Sequence, residues 1–377
     1  MSKENKLVPG LPSGFEDRWG KKVLLKKKLL KAIENNFIKF GAEALETPSF
    51  EIAENIGSFL AEDQANPMSD VFSFEDGDKN ITLRYDLSSP LARFYAQNNQ
   101  ELPSIFKRYQ IKNVFRNEKA GNGRYREFMQ ADFDIVGNVN PAQANAELCD
   151  LISSTLSDCG LKKDQFTINI SNRKIVQGLI DDLKISEEKK IKVIRAIDKL
   201  DKPGFGLKGV EDLLKKERKD QSGAVTKGAD LTNDQATQIL NFLKIKDLKE
   251  LKQILKNPLS QEGIKELEDV FDILGYGSNL KQVKFNFTIV RGLAYYSDFI
   301  VETNLNFKVT NNKGKEVDIG SICSGGAYAK LISRFRGVDV PGTGISFGVD
   351  RLLFELMQLN QIKAEDQKPV LVFVMDT

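Results

Sequence analysis

Histidine is absent from this 377-residue chain. Its absence excludes Ser-His-Asp and Cys-His nucleophile arrangements and every histidine-ligated zinc site. Proton transfer near neutral pH would fall to shifted carboxylates, to lysines or to a substrate itself. Cysteine is scarce: Cys149, Cys159 and Cys323 have no metal-like spacing and cannot all pair, which fits a reducing compartment. No apolar run approaches membrane-spanning length, and the opening MSKENKLVPGLPSGF lacks the apolar stretch of a signal peptide. A soluble cytoplasmic protein with no resident metal site is expected. Net charge is only +2, so no whole-molecule field marks a nucleic-acid binder, though a local basic surface stays open. Chemistry that runs on positioning and charge stabilisation survives these exclusions, and phosphoryl and nucleotidyl transfers belong to it.

What the chain does contain is concentrated in Asn113–Gly137, NVFRNEKAGNGRYREFMQADFDIVG. Its alternation predicts two strands joined by the tip Lys119-Ala120-Gly121-Asn122-Gly123. The outgoing strand is expected to carry Arg116 and Glu118, and the returning one Arg124, Arg126, Gln130, Asp132 and Asp134. Side chains alternate between faces of a strand, so Gln130, Asp132 and Asp134 share one. Fixed guanidiniums near acceptor-only carboxylates suit a ligand with an anionic and a cationic end, such as a nucleoside triphosphate together with an amino acid. Taken alone, the same charges also fit a solvated hairpin laced with weak ion pairs.

With 41% hydrophobic residues the chain can bury a substantial core, and its length suggests roughly two or three domains. Leu25, Leu29, Ile33 and Phe37 recur at four-residue spacing and predict an amphipathic helix over 19–40, ended by Gly41. The lysines at 26–28 read as its solvated face. An extended segment follows over 44–50, then helix and loop to about residue 70. A hairpin is predicted from Phe72-Ser73-Phe74 and Ile81–Tyr85 around Glu75-Asp76-Gly77-Asp78. Helices are expected over 88–98 and 142–159, and a strand over 165–171. From Asn172 to about 280 the pattern turns to short amphipathic helices, including 173–183, 185–200, 231–244 and 247–257, with a polar loop at 217–228. This stretch reads as a helical module inserted into a mostly β domain.

Strand signals return over 283–303, within which TIVRGLAYYSDFIVE holds Arg291, Tyr295 and Tyr296. Strict alternation there puts Arg291 and Tyr296 on opposite faces, so a shared site needs a bulge, for which Gly292 is the candidate. DIGSICSGGAYAKLISRF then leads to GTGISFGVDRLLFELMQL, a strand running into a helix with Asp350 and Arg351 at its start. Gly342, Gly344 and Gly348 on that strand admit close approach of a ligand or close packing of a neighbour.

In order and spacing these segments resemble the class II aminoacyl-tRNA synthetases, and within them the histidyl-tRNA synthetases, over nearly the whole chain. Thr47-Pro48 is similar to the first class motif, at the dimer interface; Phe115-Arg116-Asn117-Glu118 with the return strand to the second; Gly344–Arg351 to the third. RGLAYY (291–296) and SGGAYAKL (324–331) resemble the two histidine signatures, and TLRYDLS (82–88) the segment that holds the substrate amine. The resemblance implies an α+β fold, an antiparallel sheet flanked by helices, with a catalytic core at 1–171 and 281–362 and an insertion at 172–280. It implies that Asp86, Ser88, Gln130 and Asp134 hold the amino group and side chain of histidine, that Tyr296 and Tyr328 meet the imidazole, and that Tyr295 lines the same pocket. Arg116 would grip the α-phosphate of ATP, Arg351 the γ-phosphate end, Glu118 the adenine or a Mg2+-bound phosphate, and Arg124 the loop over ATP. Arg291 is the arginine this family sets against the α-phosphate. The implied partners are histidine, ATP with Mg2+, tRNA(His) and a second copy in a homodimer.

Two departures from the family pattern stand out. Ala294 replaces an acidic residue, and Ala327 and Ala329 replace the arginine and aspartate of Gly-Gly-Arg-Tyr-Asp, which weakens support for the histidine pocket. The terminal KPVLVFVMDT looks like the first strand of a further α/β domain, beginning near 363, that reads the anticodon in the family; weak tRNA binding is therefore expected. An alternative reading is a synthetase-like regulatory subunit of ATP phosphoribosyltransferase that senses histidine. The alanines and the missing domain favour it. The retained Arg116, Glu118, Arg124, Arg291 and Arg351 and the large insertion favour the synthetase.

Overall fold

The computed structural model describes residues 8–56, 70–118, 125–201, 204–219, 225–277, 280–290, 296–310, 314, 316–317, 320–359 and 361–363. The four-residue spacing near the N-terminus forms α1 (Gly20–Lys39), and Leu25, Leu29, Ile33 and Phe37 are all buried along it. The chain then enters β1 (Glu43–Ala44) and a small sheet of β2 (Phe50–Ile52), β3 (Ser73–Asp76) and β4 (Lys79–Leu83), with α2 (Ala53–Ile56) after β2. Asp76 pairs with Lys79, so the predicted four-residue turn is two residues, Gly77-Asp78, and Gly77 supplies the positive φ of +62°.

Helix α3 (Ser88–Asn98) leads to the long pair β5 (Ile105–Phe115) and β6 (Glu127–Gly137). Asn140 caps α4 (Pro141–Asp158) by accepting from the Gln143 amide, with Pro141 at the first turn, and β7 (Phe166–Asn172) follows. The lysine- and glutamate-rich stretch forms α5 (Arg173–Asp182), α6 (Glu187–Ile197), α7 (Gly206–Lys215), α8 (Asn233–Phe242), α9 (Leu248–Ile254) and α10 (Pro258–Gly275). The two-residue strands β8 (Arg218–Lys219) and β9 (Val225–Thr226) pair inside the polar loop. Beyond come β10 (Val283–Phe285), β11 (Phe299–Leu305), the short pair β12 (Val309–Thr310) and β13 (Glu316–Val317), β14 (Cys323–Ala327), α11 (Ala329–Arg336), β15 (Gly342–Gly348) and α12 (Val349–Gln358).

One eight-stranded sheet runs in the order β1-β5-β6-β15-β14-β11-β7-β10. Its pairings are antiparallel except at the two edges, β1 with β5 and β10 with β7. Its apolar face packs on α1, α4 and α12. Phe37 sits there with its ring centroid 5.8 Å from Tyr109, 5.6 Å from Phe133 and 6.1 Å from Phe347, tying the helix to β5, β6 and β15. The same core runs without a break into the helical stretch, because α10 packs on α4 and β7 as well as on α5. A second apolar cluster, on the opposite face, joins Phe106 and Val136 of the sheet to Leu91 and Tyr95 of α3 and Leu331 of α11.

Three expectations are corrected. The strand predicted across 283–303 is two strands, and Tyr296 precedes the second, so alternation says nothing of how it relates to Arg291. Arg116 and Glu118 lie beyond the end of β5, although the Arg116 amide still donates to the Arg126 carbonyl at 2.9 Å. Helices α7 and α10 were not foreseen. The tip 119–124, the segment 291–295 and the terminal apolar run 364–377 lie outside the described residues. Phe37→Ala is expected to cost about 3–5 kcal/mol, the range for truncating a buried aromatic. Denaturant unfolding measures it; a cost below about 1 kcal/mol, typical of surface changes, would contradict this packing.

Candidate active site

The second face of the sheet is polar by register. Gln110, Asp132, Ser346, Ser324, Glu302, Asn169 and Lys284 face one another in succession across seven strands. One rung away, Arg108 pairs with Asp134, then Gly344 and Gly326. Period-two alternation made this face: the odd-numbered residues of β5 and β6 include Tyr109, Ala131 and Phe133, which fill the core, while Arg108, Gln110, Asp132 and Asp134 turn the other way.

The rung at Arg108 is the most deeply buried. Arg108 Nη2 lies 2.7 Å from Asp134 Oδ2, both side chains being essentially inaccessible, and donates to the Leu87 carbonyl at 2.9 Å. The Tyr328 hydroxyl donates to Asp134 Oδ1. Burial pushes the Asp134 carboxyl up, and Arg108 and Tyr328 pull it back only in part. Asp132 is pushed up to about 7 by burial, against the pull of Arg108 and with a further push from Asp134. Burial also drives the Tyr328 hydroxyl well above its ordinary range.

Glycine makes the geometry possible. A Cβ on Gly344 would stand 2.0 Å from Asp134 Oδ1, and one on Gly342 would stand 2.8 Å from the Tyr328 ring. The glycines of β15 therefore admit the carboxylate and the phenol that build the pocket wall. Asp86, just ahead of α3, accepts from the Ser89 amide at 2.9 Å and the Ser89 hydroxyl at 3.2 Å, and Ser88 is buried beside it in the first turn.

At the other end of β6 the charge reverses. The Arg116 guanidinium carbon lies 4.5 Å from the Tyr85 centroid and 5.1 Å from that of Phe128, and its Nε donates to the Tyr85 carbonyl at 3.4 Å. The Tyr85 hydroxyl donates to Glu118 at 3.3 Å, and burial pushes that phenol up to about 12. Arg351, in the first turn of α12, donates to the Ser321 carbonyl. Its neighbour Asp350 accepts from the Met129 amide at 2.8 Å, pairs with Lys26 at 3.0 Å and lies 3.4 Å from Arg18, pinning α12 to the start of β6 and to α1. Lys26 thus has a partner rather than a solvated role.

Asp134 and Tyr328 are in contact, Asp86 lies close enough to raise the Asp134 carboxyl, Ser88 follows in the same turn, and Gln130 shares the strand face of Asp134. Tyr296 packs on the same cluster, adding its own field to the Tyr328 hydroxyl. Arg116 and Glu118 meet around Tyr85, and Arg351 turns to the Ser321 carbonyl. Arg124, Arg291, Tyr295 and Ala294 fall outside the described residues. One residue of the site, Arg108 in IFKRYQ, went unremarked in the sequence; Asp350 was noted at the helix start, but only folding reveals its partners.

The family profile described as Histidyl-tRNA synthetase matches residues 14–352. A histidine–tRNA ligase of Pelagibacter ubique (strain HTCC1062) is 78% identical over 376 residues, 100% of this chain and 81% of that protein. A histidine–tRNA ligase of Brucella suis (strain ATCC 23445 / NCTC 10510) is 40% identical over 99% of the chain and 76% of its own length. Among solved structures, the histidyl-tRNA synthetase of Nostoc sp. PCC 7120 superposes with a TM-score of 0.74 at 29% identity, covering 95% of this chain and 77% of that one. A Bacillus halodurans C protein described as an ATP phosphoribosyltransferase regulatory subunit/histidyl-tRNA synthetase has a TM-score of 0.73 at 21% identity, covers 94% of this chain and 84% of its own, and shares the fold.

Replacing Arg108 with methionine leaves two buried carboxyls without their counter-charge and is expected to cost about 3–5 kcal/mol. The sign with pH follows from the raised carboxyls. A group whose folded pKa is raised stabilises fully below its unfolded value, and that stability is lost as pH rises through the folded value. For Asp132 the window runs from 3.8 to about 7. Urea unfolding should show a deficit that grows as pH rises above about 7, where Asp132 ionises in the parent but stays protonated in the variant; a deficit of constant size there would contradict the assignment.

Proposed function

The chain belongs to the histidyl-tRNA synthetase family, and from that premise we propose that its polar strand face joins histidine to the α-phosphate of ATP before transfer to tRNA(His). Its activity is that of a histidine–tRNA ligase, the name of a relative 78% identical over the whole chain. The observation that carries the residue assignment is the polarity of β6. Buried acceptors at Asp134 and Asp132 lie on the same strand face as Phe128, on which Arg116 stacks, six residues or about 20 Å away. A long ligand, cationic at one end and polyanionic at the other, fits that gradient.

Asp134 and Tyr328, with Tyr295 and Tyr296, take the imidazole. The Asp134 carboxylate supplies an acceptor for one ring nitrogen; since the Tyr328 hydroxyl already donates to Asp134, the donor for the other nitrogen falls to the neighbouring tyrosines. Asp86, Ser88 and Gln130 hold the amino group. Arg116 holds the α-phosphate with Arg291, Arg351 the γ-phosphate end, Glu118 the adenine side, and Arg124 closes over the nucleotide. The histidine carboxylate attacks the α-phosphorus in line, pyrophosphate leaves, and the terminal adenosine of tRNA takes the acyl group. Attack of one anion on another is opposed by repulsion, so fixed guanidiniums around the phosphorus are the main requirement, and no general base is needed. Mg2+ enters with ATP as the counter-ion of its phosphates.

The regulatory reading is set aside, since the likeness to the regulatory-type protein is 21% against 78% to a ligase. The catalytic core is assigned to 1–171 and 281–362 and the insertion to 172–280, supported by β7 and β10, which pair side by side where the helical stretch departs and returns. The chain works as a homodimer in the cytoplasm. Thr47, whose hydroxyl accepts from Gln110 at 3.0 Å, ties the interface motif to the polar row, and the exposed Phe50–Phe74 ring pair beside it supplies apolar surface. No helix among the described residues is long and apolar enough to cross a membrane.

ATP–pyrophosphate exchange should proceed with histidine and with no other standard amino acid. Arg116→Ala, Arg291→Ala and Arg351→Ala should each slow it by about 100- to 1,000-fold. Exchange with a different amino acid, or near-normal exchange in the arginine variants, would overturn the assignment.

A further inference from the structure

Asp132 has no part in the scheme above. We propose that Asp132 is a substrate-binding residue of the amino-acid site, its Oδ1 accepting, with Gln130 Oε1, hydrogen bonds from the α-ammonium group of the substrate. The inference rests on the histidine-activating reading and deepens it.

The acceptors of this face are unequally engaged. Asp134 has Tyr328 on one oxygen and Arg108 against the other. Asp86 has each oxygen taken by Ser89. On β6 there remain Asp132 Oδ1 and Gln130 Oε1, both buried and without a hydrogen-bond partner among the described residues. A buried polar atom left unpaired is costly, and the cost is removed when a ligand supplies the donor. The two residues stand two apart on one strand face, so their side chains project in parallel about 7 Å apart at the backbone, within reach of a single ammonium between them.

Charge points the same way. Asp134 and Asp86 both raise the Asp132 carboxyl, Asp86 also raises that of Asp134, and Arg108 is the guanidinium that offsets them. Three carboxylates and one guanidinium leave room for a cation. The groups facing Asp132 are Arg108 and Gln110 from β5, Asp134 from its own strand, Ser346 from β15, Asp86 ahead of α3, and the Cys323 thiol of β14, which burial holds neutral. Apart from Arg108 none of these is a cation. With its carboxyl pushed up to about 7, Asp132 is substantially protonated in the free protein near neutrality, and an arriving ammonium displaces that proton.

Asp132→Asn keeps the shape and removes the charge. In ATP–pyrophosphate exchange it should raise the KM for histidine by about 10- to 100-fold, the worth of a charge-assisted hydrogen bond, while the KM for ATP stays near wild type. Imidazolepropionate, which is histidine without its amine, should inhibit variant and wild type equally. An unchanged histidine KM would overturn the proposal. So would equal weakening of histidine and imidazolepropionate, because the residue would then support the pocket as a whole. Should the variant fail to fold, the wild type still decides. The ratio of histidine KM to imidazolepropionate inhibition constant, each corrected for its own ligand's imidazole titration, should fall as pH rises through about 7, and a flat ratio contradicts the proposal. Wild type that exchanges with histidine while the Asp132 tests fail sinks this inference alone; wild type that exchanges with no histidine sinks the reading beneath it as well.

Discussion

The ion pair between Arg108 and Asp134 is the constraint on which the rest of the site depends. A guanidinium with no solvent access is stable only beside a counter-charge, and a buried carboxylate only beside a donor. Each supplies the other's need, and the Leu87 carbonyl and Tyr328 hydroxyl complete the set. The pair fixes the register in which β5 and β6 turn polar residues to one face. It also sets the scale of the pocket, because the Asp134 carboxylate occupies the space that a side chain on Gly344 would need. Such pairs add little net stability over an apolar replacement. Their retention here is explained by what they present to a ligand.

From that rung the strand face changes character in order. Apolar packing at Phe106 and Val136 gives way to the Arg108–Asp134 pair, then to Asp132 and Gln130, then to Phe128 with Arg116 stacked on it. A single strand thus carries buried acceptors and, farther along, the ring against which a guanidinium is stacked. The two ends are held in relation by backbone geometry rather than by flexible loops. Asp350 extends the same logic to α12, because its bond to the Met129 amide locks the helix that bears Arg351 to the strand end where Arg116 emerges. Reaction by positioning needs rigidity of this kind, since a misplacement of about 1 Å can cost on the order of 100-fold in rate.

Much of this was legible in the residues. The four-residue spacing of Leu25, Leu29, Ile33 and Phe37 located α1 to within a residue, and strict alternation after Glu127 put Gln130, Asp132 and Asp134 on one face. What escaped had physical reasons. Arg108 stands in a strand whose charges look solvated until their partners are known, and the partner is 26 positions away across a hairpin. Asp350 meets Met129, Lys26 and Arg18 only through tertiary contact. The run 283–303 reads as one strand because propensity cannot show that β10 and β11 pair with β7 from opposite sides. The glycines of β15 were read as room for a ligand or for close packing, and Gly344 and Gly342 leave room for the protein's own Asp134 and Tyr328.

The account's central claim is that Asp134, held by Arg108 and Tyr328, selects histidine through its imidazole. Calorimetric titration of histidine and, separately, of ATP into Asp134→Asn and the unaltered chain tests it most directly. Loss of measurable histidine binding with ATP binding retained is the predicted result. Histidine binding that survives the substitution at full strength would contradict the claim.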